Sequence, residues 1–214
     1  MGKKRRKVVP KRGYDALADK YEDYYGNNLV QIELVNWLIN KLPKNSHVLD
    51  VGCGTGIPVA KMLSDNGFKV TGIDNSSEMI KRARNNVPTG EFLEMNVKRL
   101  RLNKHFQAIT AFFTLLHVQK ELFPKILRKL VGLLEDEGYF IISMIDGDFD
   151  EENMFLGKKM HYTAYKKDDL KKLLLDAGLK IIFEKTQEFT PKIKGAETEK
   201  QLFFVCKKSF KIKS

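Results

Sequence analysis

The stretch VLDVGCGTGIPVAKML, residues 48–63, decides how the rest of the chain is read. A β-rich apolar run ends in Asp50. Gly52, Gly54 and Gly56 follow at alternate positions, then Pro58 and a spacing of apolar residues that suits a helix to about Asp65. Glycine at the first two positions lets the backbone turn tightly and approach a ligand without Cβ interference. Gly56 lets the next helix pack near the strand, and Pro58 fits the first helical turn, where a missing N–H costs nothing. Strand, glycine turn and helix together form a nucleotide-type site at the carboxyl end of a parallel strand. Pyrophosphate loops usually read G-x-G-x-x-G. Here the spacing is G-x-G-x-G behind Asp50. An acid at that place repels phosphate and suits an ammonium group.

Outward from this stretch, strands and helices alternate. FKVTGID, EFLEMNV, FQAITAFF and YFIISMI read as strands, and SSEMIKRARNN and ELFPKILRKLVGLL as helices. Asn75 or Ser76 is the expected N-cap of the first of these helices. Such alternation implies βαβ crossovers and a parallel sheet covered on both faces. KKDDLKKLLLDAG is an amphipathic helix stopped by Gly178, and LKIIFEKTQEF and QLFFVCKK are two more strands whose connection suits an antiparallel hairpin. The fold class is therefore α/β, with a doubly wound, mostly parallel seven-stranded sheet that ends in an antiparallel pair. Before the sheet, residues 13–43 read as a cap of two helices parted at Gly26-Asn27-Asn28. Residues 147–165 show no clear period and read as a long irregular loop, a kind of segment that is more often functional.

Asp74 closes VTGID, 18 residues beyond Gly56. A carboxylate there can accept hydrogen bonds from both hydroxyls of a ribose and would repel a 2′-phosphate. A ligand with an unphosphorylated ribose and an amine satisfies both acids. S-adenosylmethionine has both, whereas NAD offers only the ribose.

Composition narrows the setting. The chain has 214 residues and a net charge of +11, with 43% hydrophobic residues, which fits one globular domain. No apolar run reaches the ~18 residues of a membrane span, and no apolar stretch follows the N-terminus as a secretory leader would. Two far-separated cysteines, Cys53 and Cys206, make neither a disulfide framework nor a metal site, so we expect no metal and a reducing, cytoplasmic setting. The charge sits at the ends: seven Lys/Arg and no acid in residues 1–12, and eight Lys against three Glu in residues 185–214. A basic tail of this kind can be a solvated terminus, an electrostatic contact to nucleic acid or a nuclear address.

VLDVGCGTG, VTGIDNSSEMI, FQAITAFFTLLHV and LLEDEGYFIIS, taken in order, resemble the class I, seven-stranded S-adenosylmethionine-dependent methyltransferases, over roughly residues 14–207. The likeness is closest to the branch acting on small molecules. It implies that Asp50, Gly52, Cys53, Gly54 and Gly56 line the methionine end of the cofactor and that Asp74 holds the ribose. It places Asn75 and Met79 beside the adenine, Asn96 and Val97 at the adenine edge, and Phe112, Phe113 and Thr114 near the sulfonium. The product would be S-adenosylhomocysteine. Under this likeness residues 1–12 are a basic tail and 13–214 one methyltransferase domain, with 46–146 as cofactor-binding core, 147–165 as acceptor-side loop and 166–208 as C-terminal helix and hairpin. Asn96 stands where the family often has Asp, and its carbonyl can still accept from the adenine amine.

The acceptor is less legible. Methyl transfer from a sulfonium needs positioning and water exclusion, and a base only where the acceptor must lose a proton. AFFTLLHV replaces the N-P-P-Y stretch that in the family marks planar amino nitrogens. His117, Tyr21 and His161 are the candidate catalytic residues, with packing as the alternative role of each. Tyr162 and Tyr165 share the 147–165 segment with His161, and Tyr24 and Tyr25 share the cap with Tyr21. A small-molecule acceptor is the first reading. RNA bound through the basic ends and Lys98, Arg99, Arg101 and Lys104 is the second, and a non-catalytic partner subunit, hinted at by Asn96, the third.

Overall fold

The computed structural model describes Tyr14 and residues 28–155, 158–190 and 197–209. The basic tail, the first helix of the expected cap and Tyr21, Tyr24 and Tyr25 lie outside the described residues. In chain order the elements are α1 (Leu29–Lys41), β1 (His47–Val51), α2 (Val59–Asp65), β2 (Lys69–Asp74), α3 (Ser77–Asn86), β3 (Glu91–Glu94), β4 (Phe106–Phe112), α4 (Phe123–Gly132), β5 (Leu134–Ile145), β6 (Phe149–Phe155), β7 (Lys158–Ala164), α5 (Lys167–Asp176), β8 (Leu179–Phe189) and β9 (Glu199–Lys208).

Seven strands form one sheet in the order β3-β2-β1-β4-β5-β9-β8. β1 to β5 pair in parallel, β9 pairs antiparallel with β5, and β8 antiparallel with β9. The expected sheet is the observed one. Order reverses beside β1, where β2 leaves on one side and β4 on the other, so a crevice opens at the carboxyl ends of these strands.

Side-chain alternation explains the two layers. Leu49, Ile109, Phe140 and Phe204 face α4 and α5, packing on Leu127, Leu130, Leu170 and Leu174. Val48, Val70, Phe92, Ile141 and Phe203 face the other way, onto Leu34, Leu38, Leu63, Ile80 and Ala83 of α1, α2 and α3. Each such side chain, once fully buried, stabilises the fold by about 1.5–3 kcal/mol. Helix ends follow local chemistry. Asn28 caps α1 by accepting from Gln31 N, and Ser76 caps α3 by accepting from Met79 N. Gly178, at φ 87°, ends α5. Among the described residues no helix is long and apolar enough to cross a membrane.

Three local readings change. Residues 147–165 are not irregular: β6 and β7 form a separate two-stranded antiparallel sheet, with Glu152 opposite His161. Exposed charges along Glu151–Met154 remove the apolar alternation by which a strand is recognised. Asp136–Gly138 carries turn residues between the expected helix and strand, but lies inside the long β5, where the register with β4 shifts between Phe106 and Ala108. Pro58 is the N-cap of α2 and not a residue of its first turn.

Gly72 lies beside Asp50 in the β1–β2 register. A Cβ there would come within 2.5 Å of the Phe92 ring and 2.8 Å of Cys53 Sγ. Gly72→Ala is expected to cost about 1–3 kcal/mol of stability by overpacking, read by urea unfolding. Phe92→Leu added to it should return part of the loss.

Candidate active site

The glycine turn is held from both sides. Gly52 N and Cys53 N both donate to Ile73 O, at 2.7 and 3.0 Å, and Gly54 N donates to Asp74 Oδ2 at 3.0 Å. Asp74 Oδ1 accepts from Ser76 N at 2.8 Å. From the β4 side, Thr114 Oγ1 donates to Val51 O at 2.7 Å. Gly52 has φ 72°, and a Cβ on it would lie 1.9 Å from Thr114 Oγ1, so glycine is required twice over. Gly56 has a different role from the one expected. It lines neither cavity of the site, and a Cβ on it would press on Val87 at 3.2 Å and Ala83 at 3.4 Å. The helix it admits is thus α3, with Val87 at its C-cap, and not α2.

Two cavities meet over this turn. The larger, of about 340 Å³, is within the range of small-molecule and cofactor sites. Gly52, Gly54, Asp74, Asn75, Met79, Asn96, Val97, Phe112, Phe113, Thr114, His117 and His161 all line it. The second is lined by Asp50 and Cys53, and shares Gly52, Gly54, Phe112, Phe113 and Tyr14 with the first. Asn96 Oδ1 caps the short turn Val97–Arg99 by accepting from Lys98 N at 2.9 Å, and its Nδ2 reaches Asn75 Oδ1 at 3.4 Å. A carbonyl oxygen has two lone pairs, so the cap leaves it able to accept once more.

Asp50 lies on the cavity floor rather than at its mouth. It is 3% exposed, and Thr110 Oγ1 donates to its Oδ1 at 2.7 Å. Burial pushes its carboxyl up to about 7; the neighbouring Asp74 charge adds to this, and the Thr110 bond opposes it. Burial also raises the Cys53 thiol, which is therefore not a nucleophile at neutral pH.

His117 has both ring nitrogens engaged. Nδ1 lies 2.8 Å from the His161 carbonyl, which can only accept, so Nδ1 carries the proton. Nε2, at 2.8 Å, then accepts from the Tyr14 hydroxyl. Burial holds the imidazole down to about 4, against the His161 carbonyl bond, and it is neutral at pH 7. Tyr162 meets the same ring edge-on at 5.1 Å. His161 is arranged differently. Its Nε2 pairs with Asp150 Oδ1 at 2.6 Å, and its buried Nδ1 has no partner among the described residues. Asp150 Oδ1 also accepts from Thr163 Oγ1 at 2.7 Å and Lys120 N at 3.1 Å. Tyr14 escapes the sequence reading, although it stands seven residues before Tyr21, at helical spacing.

A parallel sheet with a glycine turn after its first strand, an acid ending its second and a ligand crevice at its order reversal is the architecture of the class I methyltransferases. The chain belongs to the methyltransferase-domain family, whose model matches residues 25–184. An uncharacterised protein of Methanocaldococcus jannaschii is 33% identical over 147 residues, covering 65% of this chain and 53% of that protein. A trans-aconitate 2-methyltransferase of an Enterobacter species is 31% identical over 118 residues, or 55% and 46% of the two chains. The chain thus spans about half the length of these curated relatives. Among solved structures, a Burkholderia thailandensis 1,6-didemethyltoxoflavin N1-methyltransferase with bound 1,6-didemethyltoxoflavin and S-adenosylhomocysteine superposes with a TM-score of 0.64 at 20% identity, covering 92% of this chain and 87% of that one.

Asp50 gives a stability prediction with a definite sign. Folding raises its pKa from about 4 to about 7, so the folded chain holds a proton that the unfolded chain loses across that window. Stability from this group therefore declines as pH rises from 4 to 7. Asp50→Asn removes the decline and still accepts from Thr110. It should gain about 2–4 kcal/mol at pH 8 and close to nothing at pH 4, measured by urea titration at both values.

Proposed function

We propose that this chain is an S-adenosylmethionine-dependent methyltransferase whose acceptor is a small molecule bound in the second cavity. The observation that carries this reading is the meeting of the two cavities at Gly52, Gly54, Phe112 and Phe113, with Asp74 in one and Asp50 in the other. A buried carboxyl poised near neutrality suits a cationic amino acid end, and an acid at the end of β2 suits a ribose diol.

In this reading Asp74 accepts from the ribose hydroxyls, Asn75 and Met79 flank the adenine, and Asn96 and Val97 meet its edge. Asp50 faces the α-ammonium group, which favours its ionised form. When bound, S-adenosylmethionine supplies a methyl group already activated on a sulfonium and leaves as S-adenosylhomocysteine. Phe112, Phe113 and Tyr14, common to both cavities, exclude water from the path between them. His117 is a positioning residue, since both its nitrogens are committed. It fixes Tyr14 and is itself fixed by the hairpin. His161 lines the first cavity and not the second, and its partnerless Nδ1 is buried, so in this reading it helps to wall the cofactor side and is not the base for the acceptor. The small-molecule reading is also supported by relatives named for trans-aconitate and for a toxoflavin precursor.

Two measurements test this. S-adenosylhomocysteine should bind by calorimetry, with affinity rising by about tenfold per pH unit as pH climbs toward 7 and levelling above it. In Asp50→Asn the affinity should fall and lose this dependence. Absence of binding at pH 7.5 would sink the cofactor assignment. With methyl-labelled cofactor and a cell extract, label is expected in the low-molecular-weight fraction. Label confined to RNA or to protein would overturn the acceptor class.

A further inference from the structure

Residues far apart in sequence build a directed chain of hydrogen bonds against the second cavity. The helix cap starts it. Because Asn28 Oδ1 accepts from Gln31 N, at 3.1 Å, the Asn28 amide nitrogen must point the other way, and it donates to Gln201 Oε1 at 2.7 Å. Gln187 Nε2 donates to both Asn28 Oδ1 and Gln201 Oε1, at 3.0 and 2.8 Å. Gln201 is thereby oriented with its oxygen inward to the amides and its nitrogen outward, where it donates to Glu199 Oε1 at 2.6 Å. The chain ends on a carboxylate, a group that only accepts when ionised. Glu199 Oε2 has no hydrogen-bond partner among the described residues.

Asn28 and Gln201 are 4% and 2% exposed, so the centre of this network is buried, with Gln187 and Glu199 half-buried at its ends. Glu199 itself lines the cavity, with Phe189 beside it across the β8–β9 pairing, and Tyr14, Phe113 and Tyr162 line the same cavity. Among the described residues lining this cavity there is no Lys, Arg or His, and Asp50 is a second acid. A carboxylate and aromatic side chains in one cavity suit a cation, because ring quadrupoles and the fixed charge attract the same sign. Burial raises the Glu199 carboxyl above its ordinary value, against the Gln201 bond, so an arriving cation would also restore its ionised form.

We propose that Glu199 and the aromatic walls of the second cavity bind a protonated amine carried by the methyl acceptor, and that the cavity discriminates against carboxylates. The proposal rests on the reading of this cavity as the acceptor site. The amine preference itself can be measured without cofactor. A polycarboxylate would meet Glu199 there and no described cation, a like-charge arrangement that costs affinity, while Asp50 is left to the cofactor's ammonium group.

Three probes of matched size read the preference: benzylamine, benzyl alcohol and benzoate. Binding of each to the full chain is followed by ligand-observed NMR titration, with and without S-adenosylhomocysteine. Benzylamine should bind tightest and benzoate weakest, with a gap of at least about tenfold between them. Glu199→Gln keeps an oxygen for Gln201 and should remove most of that gap by weakening benzylamine, while S-adenosylhomocysteine affinity stays as in the parent. Glu199→Asp should retain the preference for the amine. Benzoate binding as well as benzylamine, or a gap that survives in Glu199→Gln, would overturn the proposal. Failure of S-adenosylhomocysteine to bind the parent chain while the amine preference holds would instead count against the methyltransferase reading alone.

Discussion

The site depends on how closely the ends of β1, β2 and β4 are drawn together. Ile73 O receives two backbone donors from the glycine turn, Asp74 receives a third, and Thr114 closes the turn from the β4 side onto Val51 O. No side chain fits between Thr114 and Gly52. This clamp fixes the turn against two neighbouring strands before any ligand arrives. Asp50, the Asp74 carboxylate and the Phe112–Thr114 backbone then hold fixed positions relative to one another. The sheet order supplies the crevice, and the clamp sets what lines it.

Asp50 shows what such fixing costs. A carboxyl at the centre of the sheet, beside Gly72 and Thr110 in register, is stabilised by one hydroxyl against burial and a nearby like charge. A neutral side chain would serve the fold better, and in the proposed function a cationic ligand offsets the unfavourable ionisation of Asp50. Local chemistry at odds with stability is the mark of a functional position. The contrast with His117 is instructive: its burial is also unfavourable to charge, but both nitrogens are matched, so it serves geometry instead of titration.

The strands were legible because each is a short, nearly continuous apolar run bounded by turn residues, and both faces of a parallel sheet are covered. Asp50, Gly52, Gly54 and Asp74 were legible because their spacing along two adjacent strands is itself the geometry. The hairpin was not, since Glu151–Met154 is exposed throughout and puts two acids, an amide and one exposed methionine where a period of two would need an apolar face. Gly56 was misread because the partner that needs it small, α3, is adjacent in space but a strand away in sequence. The Asn28–Gln187–Gln201–Glu199 chain joins three distant segments through amide groups that, read singly, look like ordinary surface residues. Tyr14 was passed over among seven tyrosines, and its meeting with His117 spans a hundred positions that no periodicity covers.

The hairpin leaves the main sheet through a closed neck. Asp146 bridges Tyr165, Gly147 N donates to Tyr165 O at 3.3 Å, and Asp146 Oδ1 accepts from Lys167 N at 3.1 Å as α5 begins. The hairpin thus has its own pairing, joined to the rest at this neck and again through Lys120, whose N donates to Asp150 Oδ1 and whose Nζ pairs with Asp148. It reaches the site through the His161 main-chain oxygen, which anchors His117, through the Tyr162 ring, and through the Glu152, Met160 and His161 side chains that line the larger cavity. Such a module can be exchanged for another of different length or charge while the neck and that carbonyl are kept. Recombining this one short insert would then change one wall of the larger cavity while leaving the glycine turn and Asp74 untouched.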